Sequence, residues 1–420
     1  MAVRILFDTT RLAWRARRGS PTGIDRVLLA YAERLPRMPG FEVRPVALAG
    51  ERLVPVSWRG LARVIDRMRA ADTRQASPVW DDLVAVLSPG AGAGEVLRRP
   101  VEATAFSDRL ALGLEVAARA VGGAASPMPG GDIYLNVAHT GLHHPGLFTA
   151  LRGAGVLPVV MVHDLIPITH PEYCTPQAGT RHVQRMDNVV DHASLVIANS
   201  QGTADALSRY AQATGRTAPP AEVAPLGVAD AFTRPVAEGG ARLPYFVCVG
   251  TIEARKNLAF LLAVWRRLAE SMGTGAPHLV LVGRRGWENE AVVDHLERAP
   301  PLKSLVHEVA DLTDDQLASL MAGARALLAP SFAEGFDLPV AEARAVGTPV
   351  IASDIDVHRE LAAGARLVDP LDGPGWIAAI RDALVDGGRP RPLPAPTWDQ
   401  HFARVEPRLL DLARQGGPRS

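Results

Sequence analysis

Short runs of consecutive apolar residues alternate along this chain with segments whose apolar residues recur at helical spacing. VRILF from residue 3, FEVRPVAL from 41, DIYLNV from 132, LPVVMVHD from 157 and SLVIANS from 194 read as strands, and GIDRVLLAYAERL from Gly23 reads as an amphipathic helix. A second series follows: YFVCVG from 245, a helix from about Asn257, HLVLVG from 278, a helix near 288, SLVHEV from 304, a helix from Asp314, ALLAP from 326, a helix carrying Glu342, and PVIASD from 349. Strands that are apolar without interruption and bounded by helices predict parallel sheets covered on both faces. The fold class expected is α/β, with two doubly wound, Rossmann-like domains facing one another across a cleft. Residues 1–234 form the first domain in this reading, and 235–397 form the second. APLGVADAFTRPVAEGGARLP, rich in Pro, Gly and Ala, reads as the linker. TWDQHFARVEPRLLDLARQ, within 398–420, reads as a helix that crosses back to the first domain.

Length supports this division, since 420 residues exceed one ordinary core. The chain carries 45 basic and 45 acidic residues, which argues against a nucleic-acid binder working by bulk charge. A mild excess of basic residues in the first half is the one asymmetry. Two cysteines in apolar surroundings, Cys174 and Cys248, argue against a disulfide framework and for a reducing compartment. The amino end enters a strand pattern with no charged-then-apolar leader, and no apolar run reaches the length of a membrane span. A cytoplasmic location is expected. The helix SWRGLARVIDRMRAAD places Trp58, Leu61, Ile65 and Met68 on one face and Arg59, Arg63 and Arg67 elsewhere. It suits either an anionic membrane surface or a core helix with its arginines reaching outward, and the second reading is favoured.

The chemistry concentrates in loops between strands and helices. In SFAEGFDLPVAEARAVGTPVIASD, Pro339 stands at an expected first helical position. The amides of Gly335, Phe336, Asp337 and Leu338 then lie at the positive end of a helix dipole, suited to anionic or hydroxyl-bearing groups. Glu334 and Glu342 would present two carboxylates at different depths, each able to accept hydrogen bonds from vicinal hydroxyls. Taken alone they could also be solvated helix-start acids, the less favoured of the two readings. In VCVGTIEARKNLAFLLAVWRRL, Gly250 ends a strand, and Arg255 and Lys256 precede a helix capped by Asn257. Two such cations could neutralise a diphosphate, although a basic pair before a helix is a common surface feature. Only two lysines occur, Lys256 and Lys303. His163, at the end of VVMVHD, could face the cleft as a hydrogen-bonding or proton-carrying group, or be held structurally by backbone. His139, His143 and His144 lack a partnering carboxylate or cysteine pattern, and nearby Gly and Pro argue for a loop rather than a metal site. Asp354 and Asp356 have the spacing of metal-dependent sugar transferases, which is read as coincidence.

FVCVGTIEARKNL, LVGRRGW, SFAEGFDLPVAEARAVGTPVIASD and LVDPLD resemble, in order and spacing, the retaining nucleotide-sugar glycosyltransferases of family 4, also called the group 1 family. SPTGIDRV, VHDLIPITHPEY, VIANSQGTADAL and VAPLGV in the first half resemble it too. The resemblance implies the GT-B fold and no required divalent metal or other cofactor. It implies that Arg255 and Lys256 contact the donor diphosphate and that Glu342 binds ribose hydroxyls. Glu334 would lie beside the transferred sugar with the Gly335–Leu338 amides, and His163 near that sugar. Gly23 would lie near the diphosphate and acceptor, and Arg284 and the HEVADL segment near the nucleobase. Transfer of a hexose, mannose- or rhamnose-like, from a nucleoside-diphosphate sugar is implied. The acceptor would be a saccharide or lipid-linked saccharide in surface-polysaccharide assembly, with contact to an anionic inner-membrane surface as a further expectation. A nucleotide-sugar epimerase of similar fold and a non-catalytic carbohydrate- or nucleotide-binding protein are the alternatives.

Overall fold

The computed structural model describes residues 2–15, 23–72, 78–88, 130–237, 240–287, 289–385 and 391–416. Residues 20–22 of the SPTGIDRV stretch therefore lie outside the described residues, as does the side chain of Arg67.

Thirteen strands among the described residues form two sheets. The first contains β1 (Val3–Asp8), β2 (Phe41–Ala49), β3 (Arg52–Pro55), β4 (Ile133–Asn136), β5 (Leu157–Val162), β6 (Leu195–Ala198) and β7 (Ala221–Val223), in the order β3-β2-β1-β4-β5-β6-β7. The second contains β8 (Tyr245–Val249), β9 (His278–Val282), β10 (Val306–Val309), β11 (Leu327–Ala329), β12 (Val350–Ser353) and β13 (Arg366–Val368), in the order β10-β9-β8-β11-β12-β13. Every pairing is parallel except β2 with β3, an edge hairpin at whose turn Gly50 takes φ +67°. Strand order reverses between β1 and β4 in the first sheet and between β8 and β11 in the second. Loops leaving the carboxyl ends of strands at such reversals diverge and leave a crevice, where open α/β sheets place ligands. The loops after β8 and β11 carry Arg255, Lys256 and Glu334.

Central strands are apolar because helices cover both faces. Ile5, Leu6, Phe7, Val159, Val160 and Met161 are fully buried, as are Phe246, Val247, Leu279 and Val280 in the second sheet. The helix Trp58–Asp72 turns Leu61, Val64, Ile65 and Met68 into this core, while Arg59 and Arg63 are exposed. Its apolar face is therefore unavailable for insertion into lipid, and the core-helix reading of the sequence is the one the structure favours.

The Pro/Gly/Ala-rich segment expected to be a plain linker is packed instead. Ala224, Leu226, Val228 and Phe232 are buried, and a short helix, Asp230–Thr233, lies against helices Asp314–Gly323 and Leu338–Val346. The last helix, Trp398–Gly416, returns to the first domain. Tyr31 Oη lies 2.7 Å from His401 Nε2, and His401 Nδ1 lies 3.0 Å from the Pro225 carbonyl. The carbonyl requires the proton on Nδ1, so Nε2 accepts from Tyr31 and the ring is neutral. Burial pushes the His401 pKa down to about 4.

Candidate functional site

Three side chains expected to serve a donor, Arg255, Lys256 and Glu334, meet in the crevice as a buried network rather than as separate groups. After β8, Gly250 takes φ +144°, and a Cβ there would lie 2.8 Å from Lys256 Cε. Glycine thus leaves the lysine a channel beside the strand end. Residues Ala254–Lys256 form one 3-10 turn, and Asn257 follows in the left-handed region at φ 55°. The sequence led us to expect Asn257 to cap the helix Leu258–Met272 with its side chain. Its Nδ2 instead donates to the Pro370 carbonyl at 2.9 Å, tying the turn to the neighbouring loop.

Arg255 and Lys256 both turn toward Glu334. Arg255 Nη1 lies 2.5 Å from Glu334 Oε2, and Arg255 Nε lies 2.6 Å from Glu253 Oε1. Lys256 Nζ lies 2.7 Å from Glu334 Oε1 and 3.6 Å from Asp337 Oδ1. The Lys256–Glu334 contact satisfies charge but not direction, since Glu334 Oε1 has no well-aligned hydrogen bond and keeps acceptor capacity. Asp337 Oδ2 lies 3.0 Å from His358 Nε2, whose Nδ1 lies 2.8 Å from the Ser353 carbonyl. Burial opposes every charge here, yet the opposite charges prevail for most. Burial would raise Glu334, but Arg255 and Lys256 hold its pKa below the ordinary value. Burial would lower Lys256, but Asp337 and Glu334 hold it above. For Glu253 burial wins, and its pKa is raised despite Arg255.

The loop after β11 reaches the helix Leu338–Val346, so Pro339 occupies the second helical position rather than the first. Asp337 stands before it at φ 62° with no side-chain cap, its carboxylate committed to His358 and Lys256. The Gly335 amide was expected at the positive end of a helix dipole, open to the approach of a ligand. In the structure the first domain takes that approach: a Cβ on Gly335 would lie 1.9 Å from the His163 carbonyl oxygen, and Ser200 Oγ donates to the Gly335 carbonyl at 2.7 Å. Phe336 is buried, in the main core. Gly23, at the start of the helix Gly23–Arg34, faces Leu338 across the crevice at 3.9 Å from its ideal Cβ position.

His163 is buried with Nε2 2.8 Å from the Val137 carbonyl and its backbone N–H donating to His139 Nε2 at 3.1 Å. Burial holds its pKa below the ordinary value, so it is a neutral ring fixed by backbone whose carbonyl faces the donor loop. Glu342 is buried 2.9 Å from Arg26 Nη1, and Arg26 also pairs with Asp314. Burial pushes its pKa up to about 7 against the pull of Arg26. Arg284 stands apart on the rim, 2.5 Å from Asp311 Oδ1, and shares no contact with the Arg255 network. His307, at the head of the HEVADL segment, is buried against His278 at 3.0 Å and so packs between strands.

Glu253, Asp337 as a side chain, His358 and Arg26 escaped the sequence reading as network members. Glu253 stands two residues before Arg255, a proximity the sequence does display. Nothing linear connects His358 to Asp337 or Arg26 to Glu342. Asp354 and Asp356 are engaged by Arg359, at 2.7 Å and 3.2 Å. His139, His143 and His144 lie in a turn, and no cluster of three or more metal-ligating side chains occurs among the described residues.

Comparison with known proteins places the chain among sugar-transferring relatives in sequence and fold. Residues 243–386 match the family model for glycosyl transferases group 1. The chain is 28% identical to the Escherichia coli serotype-specific mannosyltransferase WbdA, over 51% of this chain and 28% of that protein. It is 30% identical to the E. coli O-antigen chain mannosyltransferase B, over 54% of this chain and 61% of that one. The chain thus spans less than two thirds of the length of these relatives. Among solved structures, Anabaena HepE in complex with UDP matches with TM-score 0.57 at 18% identity, covering 98% of both chains. A Thermosynechococcus elongatus sucrose-phosphate synthase matches with TM-score 0.57 at 18% identity, covering 99% and 97%. The second domain of this chain belongs to the group 1 glycosyl transferases, and the chain as a whole has the two-domain GT-B fold.

Proposed function

We propose that this chain transfers a hexose, mannose or one similar to it, from a nucleoside-diphosphate sugar to a saccharide acceptor in surface-polysaccharide assembly. The observation that carries the proposal is the convergence of Arg255, Lys256 and Glu334 in one buried cluster at the β8/β11 strand-order reversal, facing His163 of the other domain. Relatives named as O-antigen mannosyltransferases support the sugar and the process.

The mechanism proposed uses these residues alone. Arg255 and Lys256 take the diphosphate and stabilise the charge it gains as the glycosidic bond breaks, without a divalent metal. Because Glu334 already holds both cations, the incoming diphosphate must share them. The carboxylate so loosened, with an unspent lone pair on Oε1, turns to accept from hydroxyls of the transferred sugar. Glu342 serves the ribose once Arg26 yields its place, and Arg284 with Asp311 lines the base end. His163 and Gly23 shape the wall against which sugar and acceptor meet. The acceptor hydroxyl attacks from the face the diphosphate leaves, retaining the anomeric configuration. The exposed arginines of the Trp58–Asp72 helix are the proposed means of contact with an anionic inner-membrane surface.

Product analysis tests the reading. GDP-mannose incubated with the protein and a panel of saccharide acceptors should yield a new α-glycoside. Conversion of the nucleotide sugar to its epimer without acceptor would support the epimerase instead.

A further inference from the structure

The helix Pro176–His192 lies along the turn that follows β4, and the two are stitched together at both ends of their contact. Asn188 Nδ2 donates to the Leu142 carbonyl at 2.9 Å, and the His182 ring lies 5.5 Å from that of His139. His182, Arg185 and Asn188 follow one another at three-residue spacing, and Arg181 stands four residues before Arg185, so they share that helix face. Arg185 lies between the two stitches. Its Nε is buried without an acceptor, and it has no ion pair among the described residues. Elsewhere in the chain Arg26, Arg216, Arg255 and Arg285 each hold two carboxylates.

A second buried orphan stands beside it. His143 Nδ1 has no partner among the described residues either, and its ring lies tilted with its centroid 4.0 Å from that of His144. Burial, then the fields of His144, Arg185 and Arg181, push the His143 pKa down to about 4. Arg185 in turn feels Arg181 and Arg11, offset by Asp164. Buried polar atoms left unpaired in a folded protein call for an explanation. A guanidinium resting on apolar surface would keep its nitrogen atoms in water. Arg185 does not.

The place is on the cleft side of the first domain. His139, which packs on His182, accepts from the His163 backbone, and the His163 carbonyl abuts Gly335 of the donor loop. We infer that Arg185, with Arg181 and His143, forms an oxyanion subsite of the acceptor pocket. It would take a phosphoryl or carboxylate group carried by the saccharide whose hydroxyl is glycosylated. A guanidinium fork matches either group. The inference rests on the transferase reading for the word acceptor, and the test separates the two.

Calorimetric titration of the full chain with mannose 6-phosphate, mannuronate and mannose, and separately with UDP and GDP, would be run on wild type, R185Q, R185K and K256A. Wild type should bind one of the anionic sugars at least tenfold more tightly than mannose. A preference for mannose 6-phosphate marks a phosphoryl-bearing acceptor, and a preference for mannuronate marks an acidic saccharide. R185Q should lose that preference with its melting temperature undiminished, since Arg185 holds no ion-pair partner among the described residues. R185K, which keeps the charge but not the fork, should lose it in part. Nucleoside-diphosphate binding should be unchanged in both and weakened in K256A. Equal binding of all three sugars by wild type, absence of binding by either anionic sugar, or full anionic preference in R185Q would overturn the subsite. Failure of UDP and GDP to distinguish K256A from wild type would overturn the donor reading instead.

Discussion

At the scale of single residues, the cluster around Glu334 is governed by a charge count. Glu253, Glu334 and Asp337 oppose Arg255 and Lys256, with His358 joined to Asp337 and its pKa raised despite burial. A diphosphate brings further negative charge into this buried set, and added negative charge raises the pKa of every acid near it. Binding of UDP or GDP should therefore take up protons, and affinity should rise as pH falls. Titrations in buffers of different ionisation enthalpy would report this uptake, and an affinity independent of pH would exclude it. Glu342 offers a second pH signature. Its pKa in the fold, about 7, lies above the ordinary 4.5, so between those values the unfolded chain gives up a proton that the folded one keeps. This group's contribution to stability is greatest below pH 4.5 and is lost as pH rises through 7. Urea midpoints for E342Q minus wild type should climb across that window. A flat difference would mean that Arg26 holds Glu342 ionised throughout.

At the scale of elements, the long strands were legible because helices cover both faces of each sheet and leave uninterrupted apolar runs such as VRILF and LPVVMV. Three of the four edge strands were not: Arg52–Pro55, Ala221–Val223 and Arg366–Val368 span three or four residues and carry little pattern. The site was legible as residue types in loops at strand ends, Arg255, Lys256 and Glu334 above all. Their pairing was not, because it depends on how the β8 and β11 loops lie side by side. Gly335 illustrates the difference. Sequence offered its amide to a ligand, whereas the structure gives the space of its missing side chain to the His163 carbonyl of the facing domain. Gly335→Ala should force the loop and the β5 end apart, costing about 1–3 kcal/mol of stability as overpacking does. Thermal unfolding would measure it, and an unchanged melting temperature would show that the loop yields freely.

At the scale of the whole molecule, the domains are joined by polar contacts around the crevice, by the packed apolar segment that carries Leu226, Val228 and Phe232, and by the returning last helix. Arg26 of the first domain holds Glu342 and Asp314 of the second, and Glu360 accepts from Gln201 N at 3.0 Å at the start of a first-domain helix. Tyr173 stacks on Phe332 with ring centroids 5.0 Å apart. Contacts of this kind are weaker than an apolar core, and interfaces between domains of one chain commonly permit relative motion. Arg26→Ala removes one of these links, so small-angle scattering should show a larger radius of gyration than wild type. An unchanged radius would mean that the remaining contacts suffice. The last helix differs, because Tyr31 and His401 meet in the interior. Tyr31→Phe should cost about 1 kcal/mol, the usual net worth of such a bond, with some addition for the stranded His401 nitrogen.

The most direct test of the proposed donor site is calorimetric titration of UDP and GDP into wild type and Lys256→Ala. Lys256 sits between Glu334 and Asp337, so its loss removes a cation that the diphosphate needs and leaves two buried acids in its path. At least one of the two nucleotides should bind wild type, and K256A should bind it at least tenfold more weakly, a difference of about 1.4 kcal/mol. Equal affinity in the two proteins would contradict the assignment of this cluster to the donor diphosphate.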